Sequence, residues 1–175
     1  MELKIFPYTK KDGLRTRTDS GIMALYDQMA TDGSAGIVFS EGHIDSRESF
    51  LKYMKAPGTY LFVLKVDDEI VGVTWLDEIK DKTAFNHFCV FSNFWGKDTV
   101  ALGKTTLQKL IHIGDEAGYV FEVFLGKVPA WNKRAVEFAQ ACGGVNLGVI
   151  PYGIKDAAKE QNIDAVLIYY TRETF

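Results

Sequence analysis

At 175 residues the chain is long enough to bury one substantial core and too short to make two domains the expectation, so residues 1–175 are read as a single domain. Its 47% hydrophobic, 13% aromatic and 25% charged residues describe a folded protein and exclude a disordered one. A net charge of −3 supplies no basic field for nucleic acid, and no apolar run approaches the roughly 20 residues that span a bilayer, so neither is an expected partner.

The first residues, MELKIFPYTKKDG, predict a short strand through Leu3 and Ile5 ending near Pro7; Lys4 and Pro7 break any signal-peptide core. Asp19 and Ser20 are placed to cap a helix whose apolar face is Ile22, Leu25, Tyr26 and Met29. Residues 32–36 (DGSAG) break it. A second helix is expected from Asp45, with Glu48 as capping-box partner and Phe50, Leu51 and Met54 facing inward, ended by Pro57-Gly58. The pattern then turns to strands: 60–66, 69–76 across an Asp67-Asp68 turn, and 83–91. Such short links require antiparallel neighbours.

A helix from about Asp98 to Gly114 is expected to bury Val100, Leu107, Leu110 and Ile111. A strand over 119–125 follows, and the helix between these strands allows a parallel crossover. A last helix over 130–141 carries Trp131, Ala135, Phe138, Ala139 and Cys142 on one stripe. Residues 149–162 read as irregular or briefly helical around 156–160, and 165–171 as a strand. The fold class is α/β (an α+β mixed sheet), with helices on both faces of one central sheet. Cys89 and Cys142 lie in apolar settings as thiols rather than a disulfide framework, which favours a reduced, cytoplasmic compartment. His43, His87 and His112 are scattered without metal-ligand spacing.

Two segments carry chemistry: FSNFWGKDTVALGKTTLQKLI, residues 91–111, and NKRAVEFAQACGG, residues 132–144. In order and layout they resemble the GNAT superfamily of acetyl-coenzyme A dependent N-acetyltransferases. There a strand enters a Q/R-x-x-G-x-G/A loop that holds the coenzyme A pyrophosphate, and one strand later an N-x-x-A-x-x-L-Y-x-x-x-G-F helix follows. The resemblance implies acetyl-CoA as cosubstrate, bound through Val90, Gly96, Lys97, Asp98, Thr99, Val100, Ala101, Asn132 and Ala135. Ala101 fits the last loop position, while Gly96 stands where the family has Arg or Gln and Thr99 where it has its central glycine. Ala139 stands at the family's tyrosine and Gly144 at its phenylalanine. Residue by residue, the loop also reads as an ordinary turn with Asp98 as helix cap, and Asn132 as a cap after Pro129.

Acetyl transfer needs a base or water route for the amine proton and a proton donor for the leaving thiolate. On the strand that the resemblance leads to the acyl site, His87 is the candidate base; a hydrogen-bonded core histidine is the competing reading. Glu122 is a second candidate base, or else a paired surface carboxylate. Tyr152 is a candidate donor, or else a surface tyrosine. The implied activity is transfer of an acetyl group to a primary amine on a small molecule or protein. The rival expectation is an inactive GNAT-fold binding or assembly protein, reminiscent of phage virion-associated members. A homodimer or assembly partner is among the expectations, and Asp32, Glu41 and Asp45 would suit a cationic amine.

Overall fold

The computed structural model describes residues 2–11, 13–96 and 98–175. Strand β1 (Leu3–Pro7) is followed by the two-residue strands β2 (Lys10–Lys11) and β3 (Leu14–Arg15), which pair with each other. Helix α1 (Asp19–Thr31) buries Ile22, Leu25 and Met29, as their spacing requires. Its cap is Thr18, not Asp19 or Ser20: the Thr18 hydroxyl accepts from Gly21 N at 3.1 Å. Asp19 is drawn instead into ion pairs with Arg15 and Lys55. The expected break after α1 holds a short helix α2 (Ala35–Val38). Helix α3 (Arg47–Met54) starts two residues later than expected. Ser46 and Ser49 form its capping box, because serine hydroxyls reach the backbone that the longer Glu48 does not.

Strands β4 (Tyr60–Val66) and β5 (Glu69–Lys80) are joined at Asp67 and Asp68, both with positive φ, the backbone that a two-residue hairpin demands. β5 runs four residues further than the sequence suggested. β6 (Thr83–Val90) ends at a 3₁₀ turn over Ser92–Phe94, and helix α4 (Thr99–Ile111) follows. α4 buries Leu102, Gly103, Thr106, Leu107, Leu110 and Ile111, whereas Val100 is only half-buried.

The expected strand over 119–125 is shifted. Gly118–Tyr119 (β8) forms a small hairpin with Gly114–Asp115 (β7), and the main strand is β9 (Val123–Pro129). Ladder partners decide this: Val123–Leu125 pair in parallel with Thr83–Phe85 of β6. Helix α5 (Lys133–Ala141) leaves Trp131 exposed, because the helix begins after it. The stretch expected to be irregular is a strand, β10 (Val145–Asp156), paired antiparallel with β11 (Gln161–Tyr170). The Gly and Pro signals there are absorbed as register shifts between Asn146 and Gly148 and between Ile150 and Ile154, tolerable on an edge strand. A 3₁₀ turn over Arg172–Thr174 closes the chain.

The main sheet is seven-stranded and mixed, in the order β1-β4-β5-β6-β9-β11-β10. The chain divides into two compact units. The first, Met1–Leu76 with His87–Trp95, centres on a cluster of Ile22, Leu25, Met29, Phe39, Phe50, Met54, Leu61, Val63, Val73 and Trp75. The second, Asp77–Asn86 with Gly96–Phe175, buries Leu102, Leu107, Phe124, Cys142, Ala165 and Ile168. Among the described residues no helix is long and apolar enough to cross a membrane.

In the second unit α4 meets α5 at Gly103, where a Cβ would stand 2.5 Å from Cys142 Sγ and 2.7 Å from Phe138 Cζ. Gly103→Ala is therefore expected to destabilise by about 1–3 kcal/mol through overpacking, outweighing a helix-propensity gain of up to about 1 kcal/mol. Urea unfolding measures this. A midpoint at or above that of the native chain would mean that the two helices do not pack so closely.

Candidate functional site

Helix α4 begins without a side-chain cap, whereas Thr18, Ser46 and Asn132 cap α1, α3 and α5. Asp98, expected to cap α4, takes the cap position with helical dihedrals and makes no cap bond. Gly96 N donates to Thr99 Oγ1 at 2.9 Å and Thr99 N to Gly96 O at 3.2 Å, so the loop folds back on itself. Leu102 N donates to Asp98 O. That leaves Val100 N and Ala101 N without a hydrogen-bond partner among the described residues. The positive end of a 13-residue helix favours an anion. Ala101 is exposed there. Gly96 has φ +143 with open space where a Cβ would stand, so its backbone, not its surroundings, asks for glycine. Lys97 lies outside the described residues.

Asn132 caps α5 through Oδ1, which accepts from Ala135 N at 3.2 Å. Both readings of Asn132 from the sequence survive this geometry. The oxygen is spent on the helix, while the amide Nδ2 has no partner among the described residues and can donate to a carbonyl. Ala135 is half-buried on the first turn. At Ala139 the side chain is a methyl group, and its carbonyl accepts from the Tyr170 hydroxyl at 3.3 Å. Burial pushes the Tyr170 phenol well above its usual range. The sequence reading passed over Tyr170, whose only signal was an aromatic at the end of a strand.

In the first unit, His87 is half-buried and lies flat on Trp75, with ring centroids 4.9 Å apart and planes 6° from parallel. Trp75 in turn stacks on Phe39. The Thr74 hydroxyl donates to the His87 carbonyl at 2.7 Å, which ties the backbone of β6 to β5 at that point. Val90 is buried, and its carbonyl accepts from the Trp95 indole N–H at 2.9 Å. Asp32, at the end of α1, accepts from Ser92 N at 2.8 Å and from Ser92 Oγ at 2.5 Å, fixing the chain as it leaves β6. Its carboxyl lies below the usual range: burial raises it, but the Ser92 and Gln28 hydrogen bonds outweigh that. Asp32 is thus engaged within the fold, Asp45 accepts from the Ser49 hydroxyl, and Glu41 stands 3.9 Å from His43. The Asp32–Ser92 link joins residues 60 apart, a contact that sequence spacing does not reveal.

Glu122 precedes β9 rather than lying on a strand, and it pairs with Lys82 at 3.2 Å on an exposed surface. Tyr152 sits in the second irregularity of β10 with φ +55, its N–H donating to Asp164 Oδ1 and its side chain 73% exposed. A non-glycine residue in that conformation is strained by roughly 1–3 kcal/mol. Burial pushes the Cys89 thiol up to about 11 and the Cys142 thiol up to about 12, so neither is a thiolate nucleophile near neutral pH. Among the described residues no three His, Cys, Asp or Glu side chains gather to hold a metal ion.

The sequence profile of the acetyltransferase (GNAT) family matches residues 23–144, from α1 through the end of α5. The chain belongs to the GNAT acetyltransferase family. Solved structures agree on the fold. Spermidine N-acetyltransferase from Vibrio cholerae, in complex with CoA and spermine, superposes with a TM-score of 0.69 at 16% identity, covering 98% of this chain and 96% of that one. RimL, a ribosomal L7/L12 alpha-N-protein acetyltransferase, gives 0.70 at 16% identity over 98% and 96%. The microcin C7 self-immunity acetyltransferase MccE, in complex with acetyl-CoA and AMP, gives 0.62 at 16% identity over 85% and 88%. No curated protein matches the chain by sequence. As a GNAT protein, the chain has the superfamily's mixed sheet with flanking helices, and the family match includes both segments that carried the resemblance.

Proposed function

We propose that this GNAT protein transfers an acetyl group from acetyl-CoA to a primary amine by direct attack within a ternary complex. The observation that carries the reading is the start of α4, which has no side-chain cap and where Val100 N and Ala101 N have no hydrogen-bond partner among the described residues, at the positive end of the helix. These groups would take the pyrophosphate, with Gly96, Asp98 and Thr99 shaping the loop and Lys97 adding charge. The Nδ2 of Asn132 would donate to a pantetheine carbonyl, with Ala135 leaving room for the arm. The amine attacks the thioester carbonyl once neutral. His87 would take its proton, or water would. The C–S bond then breaks, and the departing thiolate takes a proton. Ala139 cannot supply that proton, so solvent or Tyr152 would.

An amine acceptor agrees with the structural relatives, which are named for acetylating spermidine and a ribosomal protein N-terminus. A non-catalytic binding or assembly role is favoured by Ala139, where the family's proton donor is missing. The two readings part on turnover in the presence of bound coenzyme.

Coenzyme A is expected to raise the melting temperature, with about 2.7 kcal/mol of stabilisation at a hundredfold excess over Kd. Adenosine, lacking phosphates, should do far less. Absence of any shift at millimolar coenzyme A would remove the acetyltransferase reading; a shift without turnover of any amine would leave the binding role.

A further inference from the structure

Asp32 stands at the C-cap of α1. A carboxylate is misplaced there by the rules of its own helix, because the negative end of the dipole favours a cation. The last turn of α1 holds no basic residue to offset it. The compensation comes from outside the helix. Asp32 Oδ2 accepts from Ser92 N at 2.8 Å and Oδ1 from Ser92 Oγ at 2.5 Å, while Gln28, one turn back, donates to Oδ1 at 3.0 Å. Ser92 opens the 3₁₀ turn after β6, and Phe91 at its cap position makes no side-chain cap bond. Asp32 therefore caps that turn from 60 residues away. A residue that breaks its local rule for a distant bond points to a role at the far end of the bond.

Two further contacts fasten the same segment beside the same strand. The Cys89 thiol donates to Ser34 Oγ at 3.5 Å. Phe39, just past α2, stacks on Trp75 with centroids 5.4 Å apart, and Trp75 carries the His87 ring. Strand alternation sets His87, Cys89 and Phe91 on one face of β6. Residues 32–39 thus reach that strand at its end, at Cys89 and, through Trp75, at the imidazole. All of these groups belong to the first unit. We infer that Asp32 is a positioning residue: by fixing the end of β6 through Ser92, it holds the His87 ring where it can take the amine proton. For its use in the reaction, this inference rests on His87 as the base in the function proposed above. Bonds to an ionised acceptor are the stronger kind, and two of them on one residue fix the strand end in direction as well as place.

Nuclear magnetic resonance of the histidine rings tests the placement without any substrate. The chain has three histidines, and His87→Gln identifies the lines of the one stacked on an indole, which the ring current shifts upfield. In Asp32→Asn those lines should lose part of that shift, while the His43 and His112 lines stay. Asp19→Asn removes the same charge at the other end of α1 and should leave the His87 lines in place. With a primary amine that the native chain acetylates, Asp32→Asn should lower kcat by roughly 10–100-fold, the cost of a small misplacement of a reacting group. In the His87→Gln background the same substitution should cost almost nothing more, because the two act as one unit. Unmoved His87 lines in a folded Asp32→Asn overturn the inference. So does a kcat loss equally large on top of His87→Gln, since Asp32 then acts elsewhere. Should Asp32→Asn fail to fold, Ser92→Ala, which removes only the hydroxyl bond, takes its place in both measurements. A native chain that acetylates no amine removes the acetyltransferase reading, and the His87 lines still decide whether Asp32 sets the ring.

Discussion

Replacing His87 with glutamine is expected to slow acetyl transfer to a supplied primary amine by about 10²–10⁴-fold, the usual contribution of a positioned general base. Glutamine keeps much of the size and polarity of histidine but not the flat stack on Trp75, 4.9 Å away. Loss of that stack is expected to cost about 0.5–1.5 kcal/mol, which leaves the protein folded. Rate and stability therefore separate the two roles that the sequence allows. Full turnover in His87→Gln would send the proton through water or Glu122 and end the assignment. A variant that does not fold would make the imidazole a packing residue of the first unit.

Ala101→Glu should move stability and coenzyme binding in opposite directions. Ala101 is exposed on the first turn of α4, whose start has no side-chain cap. A carboxylate there faces the positive end of the helix and is expected to stabilise by about 0.3–1 kcal/mol. The same carboxylate would compete for the Val100 and Ala101 N–H groups and repel a pyrophosphate. Two charge-assisted hydrogen bonds of about 1.5–3 kcal/mol each are at stake, so coenzyme A affinity should fall by about 100-fold or more. Calorimetric titration and a thermal melt read both effects on one sample. Unchanged affinity would mean that the helix start does not hold phosphate. Gly96 is a poorer place for this test, because at φ +143 any side chain strains the loop whether or not a ligand binds there.

The contrast between these two sites shows what kind of information the sequence holds. Gly96 and Ala101 could be placed at the start of α4 from local pattern, because a strand, a Gly turn and an amphipathic period are written within twenty residues. That Asp98 does not cap the helix could not be read there. Its residue type favours capping, and only its backbone, helical at φ −91 and ψ −6, withholds the side chain from the task. The helix caps show the same division. Helix existence followed from Ile22, Leu25 and Met29 or from Phe50 and Met54, while the capping residue shifted to Thr18 and Ser46, since neighbouring polar groups compete for the same few donors.

By itself, the sequence determined the elements whose period is carried by their own apolar residues: α1, α3, α4, β4, β5 and β6, with the order that led to the GNAT family. The tertiary structure alone decided β9 and β10. Phe121 and Tyr119 look like strand residues, yet the ladder with β6 and β11 begins at Val123 and Phe124 and runs on to Pro129. Gly148, Pro151 and Gly153 look like loop residues, yet β11 supplies partners on either side of them and the irregularities are taken up as bulges. His87 on Trp75 and Asp32 on Ser92 belong to the same class. Helical order is set by side chains three and four residues apart, which the sequence lists side by side. Strand limits, stacking and long-range carboxylate bonds are set by groups 12 to 60 residues away, which meet only when the chain has folded.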